Sequence, residues 1–162
     1  MKNIVMILMT ISLLTSCQNT SENANNTSLK NTQTMEKLAK QDIENLLMVY
    51  KETLNTSNAE KATSLYTKDG IFMPSGALSA IGTKNIKEAY DFVFSQIQLN
   101  IEFYIEEITI ENTMAYAVTS SKGSTLIHAN GKTIPEENRE LFVFEKESGS
   151  WKIVRYMFNK TK

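Results

Sequence analysis

Among the residues of this chain that could do acid–base chemistry, Glu140 has the most informative neighbours. It alternates with Phe142 and Phe144, and residues two apart on a strand point to the same face. A carboxyl group on such a face either lines a pocket, where burial raises its pKa, or lies between two copies of the chain. Both alternatives stay open. Arg155 is a possible neighbour, and it would make Glu140 half of an ion pair instead of a reacting acid.

Few other side chains of reactive type are present. The only histidine, His128, lies close to Asn130-Gly131, so we expect it on the surface at the end of a hairpin. The only cysteine, Cys17, lies near the start of the chain. A domain with one histidine and no cysteine is a poor transition-metal site, so we predict no metal and no cofactor. Neither a Ser-His-Asp arrangement nor a Gly-rich phosphate loop is recognisable.

The first residues have the pattern of an export signal. Lys2 precedes an apolar run from Ile4 to Leu14, about 11 residues, which is too short to span a bilayer of roughly 30 Å. The following Thr15-Ser16-Cys17 completes a segment that resembles a bacterial lipobox. The resemblance implies cleavage before Cys17 and its diacylation. The alternative is an ordinary signal peptide with a chance cysteine.

These features predict three segments and a location. Residues 1–16 are a lipoprotein signal peptide, and residues 17–34 are the lipidated cysteine and a flexible tether, because they are too polar to bury a core. Residues 35–162 form the folded domain. The acylated Cys17 would hold the protein on a membrane of the bacterial cell envelope. Asn19, by the sorting rule of enteric bacteria, favours the outer membrane where the organism has one.

The charge of the chain excludes one class of partner. The 162 residues carry 17 Lys and Arg against 18 Asp and Glu, a formal net charge of −1. A protein that holds nucleic acid presents a basic field, and no such field is available here. We therefore expect no nucleic acid as partner.

Hydrophobic periodicity predicts helices first and strands afterwards. Helical spacing of apolar residues marks 35–55, a short helix capped by Ser57 or Asn58, and a third helix that starts at Thr83. A short strand covers 71–73, and Asn130-Gly131 signals a two-residue turn within a later four-strand meander. A phase shift at Glu106-Glu107 predicts a bulge that bends its strand. The class is α+β: three N-terminal helices packed on a curved antiparallel sheet.

This order resembles the nuclear transport factor 2-like cone fold, and within it the SnoaL-like branch with its SgcJ/EcaC-like group. The similarity covers about residues 38–159. It implies a pocket inside the cone and a homodimer packed sheet to sheet. The residues that carry it are Tyr50, Ser57–Glu60, Leu65–Gly70, Met73–Gly76, Ile81-Gly82 and Gly149–Arg155.

The branch includes ketosteroid isomerase, and its site can be compared residue by residue. Tyr50 lies where that enzyme has a pocket tyrosine, Glu140 where a neutral aspartate completes the oxyanion hole, and Phe158 where an aromatic residue lines the pocket. Met73 falls on the general base and cannot accept a proton. A lysine often stands at the Glu140 position in the SgcJ/EcaC-like group, so this chain departs from both relatives.

Three functions remain in view. The first is binding of a small apolar ligand in the cone, oriented by Tyr50 and Glu140. The second is a SnoaL-like isomerase, cyclase or hydratase with Glu140 and Tyr50 as its catalytic residues, and the third is a dimerisation module without a ligand. For each further lining candidate, simple core packing is an equal alternative: Met73, Tyr90, Phe94, Tyr116 and Met157.

Overall fold

The structure, a computed structural model, describes residues 20–161, with side-chain surroundings from residue 30 onward. Its contacts divide the chain into two units, Met1–Thr34 and Met35–Lys162. The predicted signal peptide and Cys17 lie outside the described residues. Helix α1 runs over Thr20–Asn55, so residues 20–34 are helical where we predicted a flexible tether. That stretch contains no Gly or Pro, and a helix nucleated by a buried segment propagates through such residues.

The three helices bury regular apolar stripes. In α1, the buried residues Ile43, Leu47, Tyr50 and Leu54 follow the helical repeat. Helix α2 covers Ala59–Ser64, and the Asn58 side chain caps it by accepting a hydrogen bond from the Lys61 backbone N–H. Of the two candidate caps, Asn58 is therefore the one used.

Helix α3, Gly82–Gln96, starts before the predicted cap. Its N-cap is Ile81, which makes no side-chain capping hydrogen bond, so the prediction of Thr83 as the cap is wrong. Gly82 has a φ of +77°, a conformation open mainly to glycine, and the observed cap lies two residues before the predicted one. The buried residues Ile86, Tyr90 and Phe94 form the stripe that faces the rest of the domain.

One sheet of six strands follows the order β2-β1-β6-β5-β4-β3. All neighbours are antiparallel except β1 and β6, which are parallel, so the sheet is mixed and not purely antiparallel as predicted. No hairpin joins β1 to β6, and tertiary packing alone decides their relative direction. The strands are β1 (Tyr66–Met73), β2 (Ala80–Ile81), β3 (Ile97–Glu111), β4 (Met114–Ile127), β5 (Lys132–Glu147) and β6 (Ser150–Lys160).

The predicted bulge is confirmed. Ile105 pairs with Thr119 and Glu107 with Val118, so Glu106 is the extra residue of β3. Nearby, Gly123 of β4 lets the two strands approach closely, because an added Cβ would lie 2.1 Å from the Asn100 carbonyl oxygen. Both features act on the β3–β4 pair, and a bulge bends its strand.

The turn at Asn130-Gly131 is longer than predicted. Four residues, 128–131, separate the paired ends Ile127 and Lys132, so the two-residue hairpin is wrong. A two-residue type I′ turn needs a positive φ at both central positions, and Gly131 has one while Asn130 does not. Instead, the Asn130 side chain accepts a hydrogen bond from the Lys132 backbone N–H.

Candidate functional site

A cavity of about 310 Å³ lies between the helices and the inner face of the sheet. Its largest surface is apolar, from α3, the ends of α1 and β3, and the loop after β1: Leu54, Pro74, Ala77, Leu78, Ala89, Phe92, Val93, Ile97, Leu99 and Ile101. Aromatic side chains form a second part: Tyr50, Phe72, Tyr90, Tyr156 and Phe158. Ser75 of the loop after β1 also lines the cavity, and a third part is polar: Ser121, Glu136, Asn138, Glu140 and Lys160.

The polar wall, as we call this last group, is built mainly by alternate residues of β5. Glu136, Asn138 and Glu140 occupy one face of the strand, and each is at least nine-tenths buried. Facing hydroxyls come from β4, where Ser121 pairs with Asn138 and Thr119 with Glu140. The same β5 face continues into Phe142 and Phe144, so the wall ends where the core begins.

Glu140 is the isolated acid of the wall. Only 4% of it is exposed, and the Thr119 hydroxyl donates a hydrogen bond of 2.5 Å to Oε2. Burial raises the pKa of Glu140; hydrogen bonds from Ser121 and Thr119 lower it, and the charge of Glu106 raises it. In the described part of the chain, no Lys or Arg nitrogen forms an ion pair with Glu140. Buried without a cationic partner, this carboxyl is a candidate functional group.

Arg155 does not neutralise Glu140. It pairs along the sheet with Val143 and Ile71, while Glu140 pairs with Phe158. The Arg155 guanidinium donates 2.7 Å to the Val154 carbonyl oxygen instead. The predicted alternative of an Arg155–Glu140 ion pair is therefore wrong, because the two residues lie at different levels of the β5–β6 pair.

Three tyrosine hydroxyls meet at the aromatic part of the cavity. The Tyr90 hydroxyl lies 2.5 Å from that of Tyr50 and 2.8 Å from that of Tyr66. Burial raises the pKa of all three, which keeps them neutral and able to donate. Tyr50 thus reaches the cavity with its hydroxyl already bonded, and a ligand oxygen there would join an existing network.

Comparison with known proteins assigns the family. A family model described as a SnoaL-like domain matches residues 43–158, more than two thirds of the chain. The chain belongs to the SnoaL-like family. No match was found among curated protein sequences.

Solved structures agree with the cone fold of the SnoaL-like domain. A ketosteroid isomerase-like protein from Erwinia carotovora atroseptica is 27% identical, with a TM-score of 0.71 over 74% of this chain and 94% of that chain. A nuclear transport factor 2-like superfamily protein from Salmonella enterica serovar Typhimurium has a TM-score of 0.70 at 17% identity, over 78% and 94%. A putative scytalone dehydratase from Novosphingobium aromaticivorans has a TM-score of 0.70 at 14% identity, over 80% and 89%.

Four of the predicted site residues line the cavity of this SnoaL-like domain: Tyr50, Tyr90, Glu140 and Phe158. Four others do not. Phe94 is buried behind Tyr90, with ring centroids 5.6 Å apart. Tyr116 and Met157 are 36% and 45% exposed on the outer face of the sheet, because their strands present the alternate residues inward.

Met73 is the fourth residue outside the cavity lining. Phe72 is buried and lines the cavity, whereas Met73, one residue later on β1, points to the other face. Pro74 then returns to the cavity. Neither Phe72 nor Met73 can accept a proton, so neither residue can serve as a general base at this end of β1.

Most residues of the polar wall were not predicted from the sequence. Glu136, Asn138, Ser121 and Lys160 line the cavity but were not proposed, and neither were Phe72 and Tyr156. A signal was available for two of them. Glu136 and Asn138 continue the period-two pattern of Glu140, Phe142 and Phe144 toward the start of β5. Lys160, close to the end of the chain, carried no such signal.

The remaining reactive types lie elsewhere. His128 is exposed, and its Nδ1 lies 3.1 Å from the Ser95 carbonyl oxygen, at the end of the hairpin as expected. Within residues 20–161, no group of three or more His, Cys, Asp or Glu side chains is arranged to hold a metal ion. None of the helices in this range has the length and apolarity needed to cross a membrane.

The raised pKa of Glu140 predicts a pH-dependent stability difference. The carboxyl proton of Glu140 is held more tightly in the folded state than in the unfolded state. The free energy of unfolding therefore falls as pH rises from the ordinary pKa of 4.5 to the raised pKa of the folded state. We expect Glu140→Gln to gain stability relative to the wild type as pH rises from about 4 to about 8. Urea unfolding of both proteins across this range is the measurement. A difference that does not change with pH would contradict the assignment.

Proposed function

We propose that the protein is a cell-envelope lipoprotein whose SnoaL-like domain binds a small, mostly apolar ligand in its cavity. The observation that carries the proposal is the division of the cavity of about 310 Å³ into a wide apolar surface and one polar wall. Ligand pockets combine an apolar lining with a few placed polar groups in this way. The volume is at the low end of the usual range, roughly 300–1,000 Å³, which favours a ligand of one or two rings.

The test is the binding of 1-naphthalenemethanol, measured by calorimetry. We expect wild-type protein to bind it and Ala89→Trp to lose binding, because the new indole would occupy the cavity beside Tyr90. Ala129→Trp, which adds the same side chain to an exposed loop, is the matched control and should bind normally. Equal binding by all three proteins would show that the probe lies outside the cavity.

The membrane anchor is the second part of the proposal. Its support is the lipobox-like segment that ends at Cys17, preceded by an apolar run too short to span a bilayer. Two acyl chains on Cys17 would hold the domain stably on a membrane.

A homodimer through the outer face of the sheet is also proposed. This face carries large apolar side chains that are between 36% and 53% exposed: Tyr104, Met114, Tyr116, Leu141 and Met157. Several large apolar side chains exposed on one face of a sheet are typical of an interface. Native mass spectrometry of the detergent-solubilised protein should give twice the mass of one chain, and a single-chain mass would exclude the dimer.

Acid–base catalysis is the second candidate function, and Glu140 is the observation that favours it. A buried carboxyl with a raised pKa at a cavity can exchange protons with a bound molecule, and Tyr50 would stabilise a developing oxyanion. The reaction would be an isomerisation, cyclisation or hydration. Catalysis would differ from simple binding in one result, because the bound molecule would be converted to a product. Glu140→Gln would abolish this turnover while binding persists.

A further inference from the structure

The uncharged hydrogen-bond donors of the polar wall are all engaged within the protein, and the Lys160 ammonium uses one of its three N–H groups on Glu136 Oε2 at 3.0 Å. The Asn138 amide donates 3.2 Å to the Ser121 hydroxyl and 3.0 Å to Glu136 Oε1. Ser121 and Thr119 are hydrogen-bonded to Glu140, and a carboxylate can only accept. A ligand that meets this wall therefore finds few free donors.

Apart from Lys160, the hydrogen-bonding capacity that remains on the wall belongs to acceptors. Asn138 Oδ1 is buried and has no hydrogen-bond partner among the described residues. Its orientation follows from its partner, since Glu136 Oε1 must face the donor end of the amide. Glu140 adds a carboxylate two residues further along the same face of β5. A buried acceptor without a donor is costly, so a ligand that supplies N–H groups is favoured here.

The charges of the wall are also unbalanced. Lys160 Nζ lies 3.0 Å from Glu136 Oε2, and this pair is neutral overall. Glu140 has no such partner among residues 20–161, and Lys160 is the only Lys or Arg among the described residues that line the cavity. The ionised wall therefore carries one unmatched negative charge in a buried place, which a ligand cation would balance.

Aromatic side chains lie beside the acid. Tyr156 and Phe158 line the cavity on β6, next to the β5 strand that carries Glu140, and Phe158 is paired directly with Glu140. Tyr156 is stacked on Phe142 and Phe72, with ring centroids 4.3 Å and 5.6 Å apart, so these rings offer a ligand apolar contact. Negative charge, free acceptors and aromatic side chains thus line the same cavity.

We propose that the ligand is a small apolar amine, whose protonated nitrogen binds Glu140 beside Asn138 while its hydrocarbon part fills the apolar surface. This inference rests on the proposed binding function and names the chemical class of the ligand. An apolar carboxylate is disfavoured because it would repel Glu140. A neutral alcohol can donate a hydrogen bond but leaves the charge of Glu140 unmatched.

Three probes of one shape test the inference on the full-length protein: 1-naphthylmethylamine, 1-naphthalenemethanol and 1-naphthoic acid. At neutral pH they are a cation, a neutral donor and an anion. We expect the amine to bind at least about tenfold more tightly than the alcohol, since a hydrogen bond to a charged group is the stronger one. The acid should bind most weakly. This ranking is measured on wild-type protein and does not depend on a variant's folding.

Glu140→Gln then locates the preference. It should bring the amine and the alcohol to nearly equal affinity, whereas Glu145→Gln, which removes an exposed charge from the same strand, should leave the ranking unchanged. Circular dichroism checks that both variants are folded. Binding of the alcohol or the acid with equal or higher affinity than the amine would overturn the inference and leave the binding function standing. Binding of none of the three would contradict both.

Discussion

Replacing Phe142 with alanine is expected to lower the free energy of unfolding by about 3–5 kcal/mol. Phe142 is fully buried and stacks on Tyr156, with ring centroids 4.3 Å apart. Its edge also contacts Tyr50 at 5.4 Å, and Phe144 stacks beside it at 5.9 Å. The aromatic rings come from two strands and a helix, so little can move in to fill the space that the substitution leaves.

The measurement is equilibrium unfolding in urea. Phe92→Ala is the matched control, because Phe92 is 67% exposed on α3 and its loss should change stability by no more than about 0.5 kcal/mol. Similar losses in the two variants would show that Phe142 does not belong to the central core. Since Phe142 follows Glu140 on the same face of β5, the result also tests which face of the sheet is inward.

The substitution Cys17→Ser is expected to abolish acylation of the protein completely. Serine has no thiol to accept a lipid, and Cys17 is the only cysteine of the chain. We expect incorporation of a labelled fatty acid to disappear, and the protein to keep the mass of the uncleaved precursor, because cleavage of a lipobox follows lipidation of its cysteine. Mass spectrometry of membrane fractions measures both.

Ser28→Ala, a change outside the lipobox-like segment, is the control and should leave label and mass unchanged. Label that persists in Cys17→Ser would place the lipid elsewhere. Cleavage without any label in the wild type would indicate an ordinary signal peptide. Localisation by fractionation alone is less informative, because an uncleaved apolar segment can itself retain a protein at a membrane.

Local patterns predicted the elements well wherever one face of an element is buried. The repeat of Ile86, Tyr90 and Phe94 marked α3, and the phase shift at Glu106 marked the bulge of β3. These signals are local because the period of an element depends on its own backbone geometry. The sequence of residues 20–34 has no apolar stripe, with only Ala24 and Leu29 apolar, so helical periodicity could not mark this part of α1.

The faces of the strands were harder to assign. Met73, Tyr116 and Met157 lie on strands that we identified, but on the face opposite the cavity or at the outer surface. A shift of one residue in phase moves a side chain across the sheet, so a correct strand with the wrong phase gives the wrong lining. Glu140 was placed correctly because Phe142 and Phe144 fixed the phase of β5.

By itself, the sequence determined the α+β class, the family resemblance, the lack of a base at Met73 and the acid on the Phe142 face. These depend on residue types and on short-range periodicity. Only the tertiary structure decided that no cation within the described part of the chain pairs with Glu140, that Lys160 pairs with Glu136, and that β1 lies parallel to β6. Each of these features depends on residues that are far apart in the sequence. How the strands align and which charges are buried together decide them, and no local pattern encodes this.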